Sequence, residues 1–228
     1  GGGGGSGLGG AIFVDSNLNF TIQARPGHLT HFDTSTNLTR AGTGGLGGPD
    51  GSNGNDGAAL GNSIFLRKDS SLTLMAQETS DTLILGEGVA FTDDTTLSED
   101  STSRTQVLVN GNGTVIYKGT SDYQGEVIVN NTNFKVTGQI NDAPVSICRN
   151  GSFSPQRGTL SGSGVLTGDV TANSGTISPD MGETLTLGRL TLNSATPYSL
   201  GSLTHIEINS SGTSSVTVTG TASLAGIL

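Results

Sequence analysis

The sequence predicts an all-β chain wound as a right-handed parallel β-helix, an elongated solenoid with negligible α-helix. Three observations carry that expectation. The composition is too poor in bulky side chains for a spherical core. The first third contains an internal repeat. From residue 105 onward, short alternating strands recur about every twenty residues, the spacing of one rung in a stacked fold.

The composition sets the bounds. Of 228 residues, 32% are strongly hydrophobic and 4% aromatic, with no Trp, while glycine alone supplies 37. Glycine buries almost no side chain, so the apolar supply suits a narrow column better than a large sphere. Charged residues reach only 13%, about half the usual share. The rest is mainly Ser, Thr and Asn, which favours short strands and tight turns. A formal net charge of −9 offers no basic stripe to meet phosphates and argues against a nucleic-acid partner. The single cysteine, Cys148, forms no intrachain disulfide and reads as a small buried apolar residue. No run of apolar residues is long enough for a membrane-spanning helix. The chain opens on "GGGGGSGLGG" with neither an initiator Met nor a signal peptide, and is expected to be a piece of a longer protein.

Residues 1–104 form the first part. "GLGGAIFVDSNLNFTIQ" (7–23) aligns with "ALGNSIFLRKDSSLTLM" (59–75) at a constant offset of 52. Ile12-Phe13-Val14 maps onto Ile64-Phe65-Leu66, Phe20 onto Leu72 and Ile22 onto Leu74. Such repeats mark stacked units, each too small to bury its own apolar face. The offset reads as two units plus a surplus between Arg25 and Gly57. Within that surplus, "GGPDGSNGNDGAA" (47–59) admits three readings. Five Gly-X-Y triplets run from Gly45 to Ala59, too few for a collagen triple helix. Gly51 to Asp56 approaches the G-G-x-G-x-D calcium repeat, with Ser52 in the second Gly position, but a single copy completes no site. The reading adopted is a Gly-rich surface loop at about 45–59.

Residues 105–228 form the second, more regular part. Strands are expected at "QVLV" (106–109), "EVIV" (126–129), "VSIC" (145–148), "GVL" (164–166), "TLTL" (184–187) and "HIEI" (205–208). Companion strands follow, such as "TVIY" (114–117) and "FKVT" (134–137). Alternation places Val107, Val109, Val127 and Val129 on one face, and Leu185, Leu187, Leu190 and Leu192 are expected inward anchors. Gly and Asn between strands supply the positive φ that sharp corners need. The rival, a β-sandwich, would show hairpin turns in place of a fixed period.

Catalytic chemistry finds little footing. Asp93, Asp94, Glu99 and Asp100 crowd "FTDDTTLSED", and paired carboxylates are what glycan cleavage requires. Acid runs between strands nonetheless read as solvated turns. His28, His31 and Asp33 in "HLTHFD" contain metal-binding residue types, but histidines three apart share a face only on a helix, and Pro26-Gly27 argues for a turn. His205 has no partner identifiable from sequence. There is no G-x-S-x-G elbow and no phosphate loop. Tyr117, Tyr123 and Tyr198 are the only tyrosines, few for stacking sugars. The expectation is a chain with no catalytic, cofactor-binding or metal-binding residues. The alternative is a carbohydrate-active β-helix, a polysaccharide lyase or hydrolase, with carboxylates around 93–100.

Three stretches carry a family resemblance. "GLGGAIFV" (7–14), followed by a Gly-rich segment and "LGNSIFL" (60–66), resembles passenger domains of bacterial autotransporters. "GNGTVIYKGTSDYQGEVIVNNTNFKVTG" (111–138) resembles their passenger-associated transport repeat, including the Tyr-x-Gly turn at Tyr123-Gln-Gly125. "GTLSGSGVLTGDVTANSGTISPDMGETLTLGRLTLNS" (158–194) with "VTVTGTASLAGIL" (216–228) resembles the end of the passenger stem. The family reads Ile-x-Pro-Gly where this chain has Ile177-Ser-Pro-Asp180, and Asp where it has Ser215. A weaker resemblance is to chlamydial polymorphic outer-membrane proteins, through Gly9-Gly-Ala-Ile12. The autotransporter resemblance implies a surface-exposed or secreted, non-catalytic stem that supports adhesion and its own export. Its implied partners are a C-terminal outer-membrane β-barrel of the same precursor and a host-surface receptor or glycan. The implied location is the cell surface, anchored at or released from a Gram-negative outer membrane.

Overall fold

A computed structural model describes residues 1–94, 104–148, 158–193, 201–206, 208–209 and 212–225. Every regular element among them is a β-strand. Their pairing is parallel throughout, apart from one short antiparallel pair, Ile208–Asn209 with Gly212–Thr213. The all-β, parallel expectation holds, and among the described residues that pair is the one place where strands meet as a hairpin.

The strands fall into three runs. The first passes through Asn19–Gln23, Ser71–Ala76, Gln106–Gly111, Glu126–Asn130 and Val145–Ile147. It continues through the later halves of Val165–Ala172 and Thr184–Leu192 to Ala222–Leu224. The second passes through Leu29–Phe32, Thr82–Leu85, Thr114–Tyr117, Asn133–Val136, Thr159–Gly162, Thr176–Pro179 and Leu203–Thr204. The third begins with Ile12–Val14, Ile64–Leu66 and Phe91–Asp93. It resumes with Thr120–Asp122, Gln139–Asn141, the earlier halves of the two long strands, and Ser215–Val218. At the break between Phe91–Asp93 and Thr120–Asp122, the Ser121 hydroxyl accepts the Phe91 N–H at 2.7 Å, so a side chain replaces a ladder bond. Along the chain the strands visit the third, first and second runs in turn, and each circuit advances one place on all three.

The register explains the repeat. Ile12, Phe13 and Val14 lie opposite Ile64, Phe65 and Leu66, and Phe20 and Ile22 lie opposite Leu72 and Leu74. The sequence alignment is therefore the physical pairing. An offset of 52 is one step on the ladder, not two units plus a surplus. Residues 33–58 make a single excursion without a strand, because Leu38 and Leu46 are its only large apolar side chains and cannot line a second inward face. Further on, Gln106 pairs with Glu126, Val107 with Val127 and Val109 with Val129, at the expected spacing.

Alternation along each strand sends one set of side chains into a contiguous apolar cluster. Val107, Val109, Val127 and Val129 belong to it, as do Leu185, Leu187, Leu190 and Leu192, all buried as expected. Corners use left-handed backbone at Asn17, Asp69, Asn131 and Asp142, with φ of 61°, 58°, 54° and 61°. Asn17 and Asp69 stand one repeat apart, so the same corner is built twice with residues that tolerate this conformation.

Two strand expectations change. "GVL" and "TLTL" are parts of longer strands, Val165–Ala172 and Thr184–Leu192, which pass from one run to the next with a register shift between Leu166 and Asp169. "HIEI" does not continue the ladder. Leu203–Thr204 takes that place opposite Thr176 and Ile177, Ile206 lies exposed, and Ile208 belongs instead to the short antiparallel pair with Gly212–Thr213.

Candidate functional site

The acid segment is the one place where sequence reading found clustered carboxylates, and the structure sends the first two, Asp93 and Asp94, to different surroundings. Phe91–Asp93 is a strand of the third run, with Phe91 and Asp93 pointing inward and both buried. Asp93 Oδ2 accepts the Thr105 hydroxyl at 3.0 Å and the Gly125 N–H at 2.8 Å. The carboxylate thus joins three stretches of chain inside the molecule, which corrects the expectation of a solvated turn at this residue. Asp94 lies on the other side of the strand. Its Oδ2 accepts the Lys68 N–H at 3.0 Å and sits 3.9 Å from Arg67 Nε. Glu99 and Asp100 lie outside the described residues, as does Tyr198.

Three of the largest buried side chains, Phe91, Tyr117 and Tyr123, gather at the Phe91–Asp93 strand. The Phe91 and Tyr117 rings stack with centroids 5.1 Å apart, and Tyr123 meets Phe91 edge-on at 6.4 Å. Tyr117 Oη donates to the Val89 carbonyl at 3.0 Å and shares a hydrogen bond with Ser121. Burial pushes the phenols of both Tyr117 and Tyr123 well above the ordinary tyrosine range, and Asp93 adds to the effect at Tyr123. Tyr123 Oη has no hydrogen-bond partner among the described residues; the Thr105 hydroxyl beside it donates to Asp93 instead. Gly125 completes the cluster. A Cβ there would stand 2.3 Å from both Tyr123 Oη and Thr105 Oγ1, which is the physical reason for glycine two residues after this tyrosine. Two of the three tyrosines therefore fill the interior, unavailable for stacking on a sugar.

The histidines are scattered. His28 follows a turn in which its N–H reaches the Arg25 carbonyl, His31 points outward from Leu29–Phe32, and Asp33 accepts the Ser35 N–H. Among the described residues no three His, Cys, Asp or Glu side chains are grouped so as to hold a metal ion. The carboxylate beside His28 is one that sequence reading missed. Asp81 is buried and accepts N–H groups of Glu78 at 3.0 Å and Gly27 at 2.7 Å. These bonds, that of Glu78 foremost, hold its carboxyl below the usual range. The Glu78 bond is local, but Gly27 arrives from the preceding unit, so that second bond could not be read from the sequence around Asp81. His205 Nδ1 stands 3.4 Å from Ser178 Oγ on an exposed surface, a contact too long for an activated nucleophile.

In the calcium-like stretch the oxygens are engaged with the chain itself. Asn53 Oδ1 accepts the Gly47 N–H at 2.8 Å and Asp56 Oδ1 the Gly44 N–H at 2.7 Å. Cys148 is buried, with its Sγ accepting the Gly158 N–H at 3.1 Å. No helix among the described residues is long and apolar enough to cross a membrane. No protein-family model matches the chain, and no curated protein or solved structure matches it.

Proposed function

We propose that the chain is a non-catalytic stem of the bacterial autotransporter passenger type, folded as a right-handed parallel β-helix and exposed at or released from a Gram-negative surface. One observation carries this reading: three runs of parallel strands advance together, unit by unit, over a narrow apolar column. A parallel crossover of this kind is right-handed in nearly all proteins. Stacked units are stabilised chiefly by their neighbours, so such a chain can fold progressively as it emerges from an outer-membrane pore. That property suits a passenger exported through a C-terminal β-barrel of its own precursor. The buried position of Asp93 also supports a non-catalytic stem, since its carboxylate is occupied inside the column and presents no open face to a glycan. In this role the outward faces and the excursion at 33–58 meet a host-surface receptor or glycan.

The test is to place the chain ahead of an autotransporter β-barrel in Gram-negative cells and to shave intact cells with protease. The expected result is loss of the chain from intact cells, with protease-resistant core fragments. Retention in the periplasm overturns the proposal, and so does cleavage of a polysaccharide by the purified chain.

A further inference from the structure

We propose that the glycine triplets of residues 1–7, 40–48 and 51–58 form one cooperative, three-stranded polyproline-II bundle, in which the first segment clasps the 33–58 excursion shut. The inference concerns the chain's own conformation and does not depend on the autotransporter reading.

The hydrogen bonds form a closed cycle. Gly4 and Gly7 donate N–H groups to the carbonyls of Asn55 and Ala58, both at 2.8 Å. Gly54 and Gly57 donate to Gly45 and Gly42 at 2.8 and 2.9 Å. Gly42 and Gly45 donate to Gly5 and Gly2, both at 2.7 Å. The first segment thus bonds to the third, the third to the second and the second back to the first, with one bond per triplet. The first and third segments run parallel; the second runs antiparallel between them.

The packing has the same period. A Cβ on Gly4 would lie 2.0 Å from the Gly42 carbonyl oxygen, one on Gly54 1.9 Å from that of Gly2, and one on Gly57 2.0 Å from that of Gly5. Gly2, Gly5 and Gly48 would meet nothing within 4 Å. Inward positions recurring every third residue require three residues per turn, the period of polyproline II and of collagen, where only glycine fits at the axis. A β-strand would repeat every second residue, and none of these glycines adopts a left-handed φ.

The bundle is bound at both ends. Gly51 N–H closes the turn at Pro49-Asp50 onto the Gly48 carbonyl at 3.0 Å. At the other end Gly7 and Leu8 pair with Ala59 and Leu60, and Thr39 bonds Asn62 Oδ1 through its N–H and its hydroxyl. Five triplets are too short to recruit two further chains into a collagen helix, but here the other strands belong to the same molecule. The covalent turn and the 7–60 ladder hold the three segments together, so no association entropy opposes them.

Amide hydrogen exchange on the full-length chain tests the proposal, with limited proteolysis as a second reading. In the unsubstituted protein, the amides of Gly42, Gly45, Gly54 and Gly57 should exchange at least about tenfold more slowly than in an unstructured peptide. Gly4→Ala and Gly54→Ala should abolish that protection and speed cutting within 40–58 by a similar factor. Gly2→Ala and Gly5→Ala should change neither. Amides of Gln106–Gly111 serve as the internal reference for a folded chain. Free-peptide exchange at the four glycines overturns the proposal, whatever the variants do. So does equal behaviour of the inward and outward variants.

Discussion

Substituting Asp93 by Asn separates a structural carboxylate from a catalytic one. In the folded chain Asp93 Oδ2 accepts both the Thr105 hydroxyl and the Gly125 N–H, in a buried setting. Hydrogen bonds to a charged group contribute about 1.5–3 kcal/mol each. Asn retains a neutral carbonyl acceptor, so roughly half of that is kept, and the expected loss is about 1–3 kcal/mol. Asp93→Ala removes the acceptor and leaves two buried donors unsatisfied, at about 1–3 kcal/mol each. Its cost should exceed that of Asn. Asp94→Asn is the control. Its Lys68 bond survives on the Asn carbonyl, and its 3.9 Å approach to Arg67 is worth no more than about 1 kcal/mol. Guanidinium unfolding followed by far-UV circular dichroism measures all three. A catalytic carboxylate behaves in the opposite way, its neutralisation costing activity while leaving stability unchanged. Asp93→Asn unfolding at the unsubstituted protein's midpoint refutes the clamp.

Leu187 lies fully buried between Leu166 and Val218 in register, so Leu187→Ala should destabilise by about 2–5 kcal/mol. Leu46 is 85% exposed, and Leu46→Ala should fall within about 0.5 kcal/mol of the unsubstituted chain by the same unfolding measurement. Asp81, whose pKa is lowered by folding, should contribute its stability in full above the ordinary carboxyl value of about 3.9. That contribution is lost as pH falls through the lower folded value. The difference in unfolding midpoint between the unsubstituted chain and Asp81→Asn should therefore be steady at neutral pH and shrink on acidification below about pH 4; a difference independent of pH contradicts the assignment.

Much of the fold could be read from the sequence, because the signals that set it are local and periodic. The pairing of 12–14 with 64–66 was visible as similarity at a constant offset. The inward set Val107, Val109, Val127 and Val129 was visible as alternation. Parallel stacking aligns like with like, so a repeat in sequence becomes a register in space. The tertiary structure decided what depends on segments meeting from a distance. Asp93 and Asp94 are adjacent and chemically alike, yet one faces Thr105 and Gly125 inside and the other Lys68 at the surface. Strand alternation could have separated their faces had the strand been recognised, but not their partners. Asp81 accepts a local N–H from Glu78, but its bond from Gly27 comes from one unit earlier. The glycine triplets looked like a loop because each segment, taken alone, can bury nothing and complete no hydrogen-bond cycle. Only when residues 1–7 lie beside 40–48 and 51–58 do their N–H groups find carbonyls every third residue. Composition and period determine what a strand does with its own side chains, whereas bonds between distant backbones exist only after the chain has folded.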